Sequence, residues 1–173
     1  RTKEIWDRFP TYKAFIIEVG NKSWTAFWRP SKTNQSSQSY LKFEARNRKI
    51  KKEEIEGIKE FIPFEKRNLH NEKNVGIHFY IYDGAFKQIL DNPQKYMDEL
   101  KKFNAVISPD FSICYDMPIV RQMYSTYMNR VMGAYYQNNG IKVIPNVRWG
   151  DSRSYEFCFE GLEKEGTYAI GSY

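Results

Sequence analysis

The sequence contains few of the residues that most often carry covalent catalysis or bind transition metals. It has two cysteines, Cys114 and Cys158, and two histidines, His70 and His78. Two cysteines cannot supply a disulfide framework, and their spacing is not that of a metal site, so we interpret both as small core residues. With so few histidines, a hydrolase built on a Ser-His-Asp triad is not expected.

Several motifs and targeting segments are also missing. We find no Gly-rich phosphate loop, no His-Glu-x-x-His helix and no nucleophile elbow. No apolar run approaches the roughly 20 residues of a membrane-spanning helix. The segment Arg1–Pro10 lacks the apolar core of a signal peptide. These absences predict a protein of a reducing cytoplasm, without a membrane partner.

The composition is that of a folded domain. A chain of 173 residues fits a single domain, 1–173, and 17% of its residues are aromatic, which is too many for a disordered chain. The net charge is +6 and the isoelectric point is near 9.2. This charge is compatible with an anionic partner but does not identify one.

The first third of the chain predicts a β-hairpin at 12–30. Its strands are Ala14–Val19 and Ser23–Trp28, joined by a loop whose Gly20 and Asn21 suit left-handed positions. The polar tract 31–39 that follows predicts a flexible loop or linker. The aromatic residues of the hairpin fit either a ribbon packed on the main body or a surface that stacks nucleic-acid bases, and we favour the first.

From Ile77 onward the pattern predicts an α/β fold in which helices connect strands of a mainly parallel sheet, over about 77–171. The strands lie at Ile77, Ala105, Val143 and Ala169. The longest helix is predicted at Met117–Gln137 with Asp116 as its N-cap. Asn129 and Arg130 of this helix could face the carboxyl edge of the sheet, but we favour the solvated face of the helix for both. The predicted core consists of Phe79, Ile81, Val106, Ile107, Met123, Val131, Val143, Ile144 and Phe157.

The stretch Ile141–Asp151 begins as a buried strand and ends in polar residues. In α/β sheets, ligands bind outside the carboxyl ends of the strands. The sequence therefore predicts a ligand-binding site at this edge of the sheet, and the side chains expected to form it are Ser108, Asn146, Arg148 and Trp149.

Three aspartates, Asp83, Asp110 and Asp151, follow the carboxyl ends of predicted strands by one to four residues. If they converge, they are candidate catalytic residues and candidate ligands of Mg²⁺ or Mn²⁺, with Arg148 as a phosphate clamp. Each also has a structural interpretation: an Asp-Gly turn, a position after a proline, and a helix N-cap. We expect Asp110, Arg148 and Asp151 to approach one another, either as a site or as an ion pair that ties two loops together.

Five runs of this sequence resemble the signature of a family of domains of unknown function, number 4417, found in bacteriophages, plasmids and bacterial genomes. The runs are His78–Asp83, Ser108–Ser112, Asp116–Pro118, Ile144–Asp151 and Phe157–Gly161. The resemblance covers roughly 58–173, and the preceding hairpin is not part of it. It implies a mobile-element origin and the cytoplasm of a host bacterium, but no activity. The family's domain continues past Tyr173, so the resemblance also implies a shortened version.

Two classes of function remain open at this point. The first is a phosphate-directed enzyme or nucleotide-binding domain that uses the aspartates with a divalent metal. The second is a non-catalytic protein that binds nucleic acid or a host protein through the basic and aromatic first third of the chain. The spatial arrangement of the three aspartates distinguishes the two.

Overall fold

The computed structural model describes residues 13–19, 22–28, 49–69 and 74–171, the first two ranges by their backbone alone. The chain divides into two compact units, Arg1–Arg46 and Asn47–Tyr173. In the first unit, strands β1 (Lys13–Val19) and β2 (Lys22–Trp28) pair antiparallel, as the sequence predicted. The predicted loop residues 20–21 and the tract 31–39 lie outside the described residues.

The second unit contains a four-stranded sheet whose strands are all parallel. The strands are β3 (Glu60–Pro63), β4 (Val75–His78), β5 (Ala105–Ile107) and β6 (Val143–Ile144), in that spatial order. The α/β fold with a mainly parallel sheet is therefore confirmed. The predicted strand at Ala169 is reduced to one parallel bridge with Asn146.

The connections between the strands are mostly short helices. Helix α1 (Met97–Leu100) continues a 3₁₀ turn in which the Asn92 side chain accepts a hydrogen bond from the Lys95 amide, 3.3 Å away. Helix α2 (Ile119–Asn138) is the one long helix of the described residues, and none of their helices is long and apolar enough to cross a bilayer. The 3₁₀ helices are Phe64–Leu69, Asp83–Ala85, Lys87–Ile89, Pro93–Tyr96 and Ser152–Glu156.

The start of α2 differs from the prediction, and Asp116 is not its N-cap. Pro118 occupies that position with an extended backbone (φ −51°, ψ 135°) and no side chain caps the helix. The residue before a proline disfavours helical geometry, so Met117 cannot begin the helix. The other end agrees with the prediction, because Gly140 follows the helix with a φ of +81°.

Seven of the nine predicted core residues are buried. The two exceptions, Ile81 and Met123, are only partly buried. Strand β4 ends at His78, three residues before Ile81. The Ile81 amide then donates to the Phe79 carbonyl at 2.8 Å, which turns the chain and changes the direction of the Ile81 side chain.

The placement of Asn129 and Arg130 on a solvated face was wrong. Only 5% of Asn129 and 1% of Arg130 is exposed. Both lie on a face of α2 that packs closely on the sheet near Gly133, where an added Cβ would lie 2.3 Å from the Ile50 Cδ1 atom and 3.3 Å from the Ser108 Cβ atom. This close approach brings the polar side chains of α2 against the carboxyl end of β5.

Candidate functional site

The polar residues after β5 and β6 form a hydrogen-bonded network with α2. The Ser108 hydroxyl donates to Asn129 Oδ1 at 3.0 Å and accepts from the Asn146 amide at 2.8 Å. Asn129 also donates from Nδ2 to the Pro109 carbonyl at 2.7 Å. Three separate segments of the chain are therefore joined by side chains that are almost completely buried.

Asp110 lies at the centre of a second set of contacts. Its carboxylate accepts a hydrogen bond from Asn146 Nδ2 at 2.6 Å and forms an ion pair with Arg148. The Tyr80 hydroxyl donates to Asn146 Oδ1 at 3.0 Å and so holds the amide in this orientation. Burial raises the pKa of Asp110, an effect that Arg148 and Asn146 oppose and the nearby Asp83 reinforces.

Arg130 is the most deeply buried cation of the described residues. Its guanidinium donates to the carbonyls of Glu160 (2.9 Å), Asn146 (3.1 Å) and Cys158 (2.5 Å), and to Asn129 Oδ1. All four acceptors are neutral, and no carboxylate among the described residues pairs with it. Burial lowers the pKa of Arg130 to about 10, so the group stays charged at neutral pH.

A small pocket opens between Arg130 and Arg148. Its cavity volume is about 10 Å³, roughly what one water molecule needs. The Arg130 side chain is at its buried end, whereas Arg148, with 23% of its side chain exposed, is nearer to solvent. The polar side chains that line the pocket are Ser125, Thr126, Asn129, Arg130, Asn146 and Arg148.

Each of the three aspartates proposed as metal ligands has a partner of its own. Asp83 accepts hydrogen bonds from the Ser112 hydroxyl (2.7 Å) and amide (3.2 Å). Asp110 is paired with Arg148, and Asp151 with Arg153. In the part of the chain that the structure describes, no three acidic, histidine or cysteine side chains are grouped closely enough to hold a metal ion.

Asp151 takes the structural role that the sequence allowed for it. It is the N-cap of the Ser152–Glu156 helix, where it accepts from the Arg153 amide at 2.9 Å, and its carboxylate also accepts from Gln122 Nε2 at 3.1 Å. The expected approach of Asp110, Arg148 and Asp151 is therefore met by the first two only, because Arg153 pairs with Asp151 instead.

Trp149, the remaining predicted ligand-binding residue, lies at the surface. It is 38% exposed, and its ring contacts that of Tyr155 edge to face, with the ring centroids 6.2 Å apart. Tyr155 is 60% exposed and lies on the capped helix that Asp151 begins. The chain thus places two exposed aromatic rings directly after the arginine at the pocket.

Sequence reasoning ranked the contribution of α2 to this site too low, because it considered Asn129 and Arg130 at this edge but favoured a solvated face. Its polar residues Gln122, Thr126, Asn129 and Arg130 recur at helical spacing, a pattern that normally marks a solvated face. The signal that distinguishes this helix is its charge: among 20 residues only Arg121 and Arg130 are charged. A solvated face usually carries several lysines and glutamates, so a face of uncharged polar residues and a single arginine indicates a buried network.

The pKa shift of Asp110 predicts a pH-dependent stability. Because the folded pKa is raised, this group stabilises the fold below its unfolded pKa of about 3.9, and that contribution is lost as the pH rises through the folded value. Asp110→Asn should remove this decline. Urea unfolding at a series of pH values from 4 upward measures this decline. The readout is the slope of the free energy of unfolding against pH, not its absolute value.

For Asp151 we expect the opposite dependence of stability on pH, which the Asp151→Asn variant tests. Hydrogen bonds from Arg153 hold the pKa of Asp151 below its usual range, so its contribution is present above the unfolded pKa and is lost as the pH falls. Equal slopes for wild type and Asp110→Asn would contradict the prediction for Asp110.

Comparisons with known proteins find one family of domains and relatives in two bacteriophages. A family model described as "Domain of unknown function (DUF4417)" matches residues 42–173. The Gene 1 protein of Mycobacterium phage L5 is 38% identical over 101 residues, which are 58% of this chain and 44% of that protein. The Gene 1 protein of Mycobacterium phage D29 is 33% identical over 96 residues, 56% of this chain and 36% of that protein. The chain spans less than half the length of these relatives, and no solved structure matches it.

Proposed function

We propose a phosphate-binding function for this chain, which belongs to the family described as domain of unknown function 4417. The bound group is a phosphate of a nucleotide or nucleic acid, and it enters the pocket between Arg130 and Arg148. The proposal concerns binding, because the pocket offers charge and hydrogen-bond donors and none of its side chains is arranged as a nucleophile with a base.

The observation that carries the proposal is the charge of Arg130. A buried guanidinium whose acceptors are all neutral is a source of positive potential that the protein does not compensate. Arg148 also lines the pocket and is paired with Asp110, whereas no carboxylate of the described residues pairs with Arg130. An anion placed there supplies the missing charge in a site of low dielectric, where the interaction is strong.

The chemistry of the two arginines suits a phosphate. A guanidinium group can match the oxygens of a phosphate with two parallel hydrogen bonds, and the side chain of Arg148 is partly exposed at the pocket. Ser125 and Thr126 add hydroxyl groups at the wall of the pocket. The free volume admits a phosphate oxygen but not a nucleoside, so the remainder of the ligand lies outside the pocket.

A divalent metal is not part of this proposal. Asp110 already has a counter-ion in Arg148, Asp83 is hydrogen-bonded by Ser112, and Asp151 belongs to a separate ion pair. A cation at Asp110 would have to displace an arginine from a buried carboxylate. The donors at the pocket therefore favour an anion directly, without a bridging Mg²⁺ or Mn²⁺.

Arg148→Gln tests the proposal. Loss of charge-assisted hydrogen bonds should weaken the binding of inorganic phosphate roughly 10- to 100-fold. The wild-type protein should melt at a higher temperature in phosphate than in chloride of equal ionic strength, because a ligand of the folded state stabilises it by mass action. The variant should lose this difference.

Arg121→Gln is the matched control. Arg121 is exposed on the first turn of α2 and does not line the pocket, yet its replacement removes the same charge. It should keep the response to phosphate. A wild-type protein without any phosphate response, or an Arg121→Gln variant that loses as much as Arg148→Gln, would refute the pocket as the site.

A further inference from the structure

We propose that the exposed rings of Trp149 and Tyr155 stack an unpaired base of a single-stranded nucleic acid whose phosphate lies in the pocket between Arg130 and Arg148. This inference rests on the proposed phosphate site and names its ligand class. It assigns a surface that the pocket itself does not include.

The small size of the pocket requires a ligand that extends over the surface. With a cavity of about 10 Å³, only phosphate oxygens enter, so a sugar and base must lie outside. Arg148 is the more exposed arginine of the pair, and Trp149 is the next residue in the chain. The turn that carries Tyr155 continues to Cys158 and Glu160, whose carbonyls bind Arg130. Both arginines are therefore linked to the aromatic pair by short segments.

The aromatic pair is held in place by the structure beneath it. The Ser154 hydroxyl accepts from the Gly150 amide at 2.9 Å and donates to the Asp151 carbonyl at 2.6 Å, and Ser154 is fully buried. Gly150 packs so closely on the preceding loop that an added Cβ would lie 2.6 Å from the Cys114 carbonyl oxygen. A surface ordered in this way loses little entropy when a base stacks on it.

The geometry of the rings suits stacking on a base. The ring planes of Trp149 and Tyr155 meet at 71°, so their contact covers one ring face only, and the residues are 38% and 60% exposed. Base–aromatic stacking depends on an open π-face and tolerates any base. In a duplex the faces of the bases are covered by their neighbours, so the occupant is single-stranded. The positive pocket and the chain's net charge of +6 complement its backbone.

The test measures the binding of fluorescein-labelled oligothymidylate of twelve nucleotides by anisotropy. Trp149→Ala should raise the Kd roughly 5- to 150-fold, the range expected for one lost stacking contact. The same variant should keep the wild-type melting response to inorganic phosphate. Trp149→Tyr should restore most of the affinity. Wild-type protein should bind an abasic strand, which has phosphates but no bases, as weakly as Trp149→Ala binds the oligothymidylate.

Phe61→Ala is the matched control, because Phe61 is also 38% exposed but lies on β3, three strands away from β6. The affinity of Phe61→Ala for the oligothymidylate should equal that of wild type.

Repeating the titration with an oligouridylate distinguishes RNA from DNA as the source of the strand. Three results would overturn this inference. They are unchanged oligonucleotide binding by Trp149→Ala, equal affinity of the wild-type protein for a duplex, and no oligonucleotide binding by the wild-type protein. The last of these is expected if the two rings bind a protein instead. If the Arg148→Gln variant loses the phosphate response, the proposed phosphate site stands even when the stacking inference fails. If that variant keeps the phosphate response, the pocket is not the phosphate site.

Discussion

Replacing Arg130 by methionine is expected to lower the free energy of unfolding by about 3–5 kcal/mol. The guanidinium donates to the backbone carbonyls of Asn146, Cys158 and Glu160, and an uncharged side chain removes this donor from all three. Asn129 Oδ1 keeps the hydrogen bond from the Ser108 hydroxyl. Each orphaned group costs about 1–3 kcal/mol, partly offset because a buried charge is removed. Equilibrium unfolding in urea measures the loss.

Arg121→Met is the control on the same helix. Arg121 is exposed, so its replacement should change the stability by less than about 0.5 kcal/mol. Arg130→Lys keeps a positive charge but cannot reach several carbonyls at once, so it should also be strongly destabilising. If Arg130→Met lowers the free energy of unfolding by less than about 1 kcal/mol, the hydrogen bonds of the guanidinium do not stabilise the fold as proposed.

Phe79→Ala is expected to be as costly, at about 3–5 kcal/mol. Phe79 is fully buried, and its ring stacks on Phe64 at a centroid distance of 4.9 Å and meets Phe86 edge to face at 5.3 Å. Truncation removes both contacts and leaves a cavity inside a packed cluster. Phe86 in turn contacts Phe111, which lines the pocket, so a weaker phosphate response should accompany the loss.

The Phe79→Leu variant tests whether the cavity causes the loss of stability and the weaker phosphate response. Leucine refills much of the cavity and should recover a large part of the stability. Tyr82→Ala, at a position that is 85% exposed, should leave both stability and the phosphate response near wild type. A Phe79→Ala protein as stable as Tyr82→Ala would mean that the aromatic cluster is not part of the core.

The sheet could be predicted because its strands have a strong local signal. Parallel strands are buried on both faces, so Ala105–Ile107 and Val143–Ile144 are continuous apolar runs. The turns that end the elements are also local, as at Gly140, where only glycine readily adopts the left-handed backbone. Strand β3 was not among the predicted strands; its position at the edge suits Pro63, which cannot donate a hydrogen bond to a neighbouring strand.

The partners of the polar residues could not be predicted, because they depend on tertiary contacts. Asp110 was correctly placed beside Arg148, since both follow strands whose carboxyl ends share one edge. Asp151 was not, because Arg153, only two residues away, pairs with it first. Arg130 was assigned to the solvated face in preference to this edge, because helical spacing identifies a face but does not show whether that face meets water or a second layer of protein.

The contacts of Arg130 also have a consequence for the order of folding. Its acceptors lie at Asn129, Asn146, Cys158 and Glu160, so the guanidinium can leave water favourably only when α2, the segment after β6 and the 157–161 turn are all in place. We expect a contact assembled from such distant segments to form late in folding. We therefore expect Arg130 mainly to lower the rate of unfolding. Its replacement should shorten the lifetime of the native state and leave the rate of folding almost unchanged.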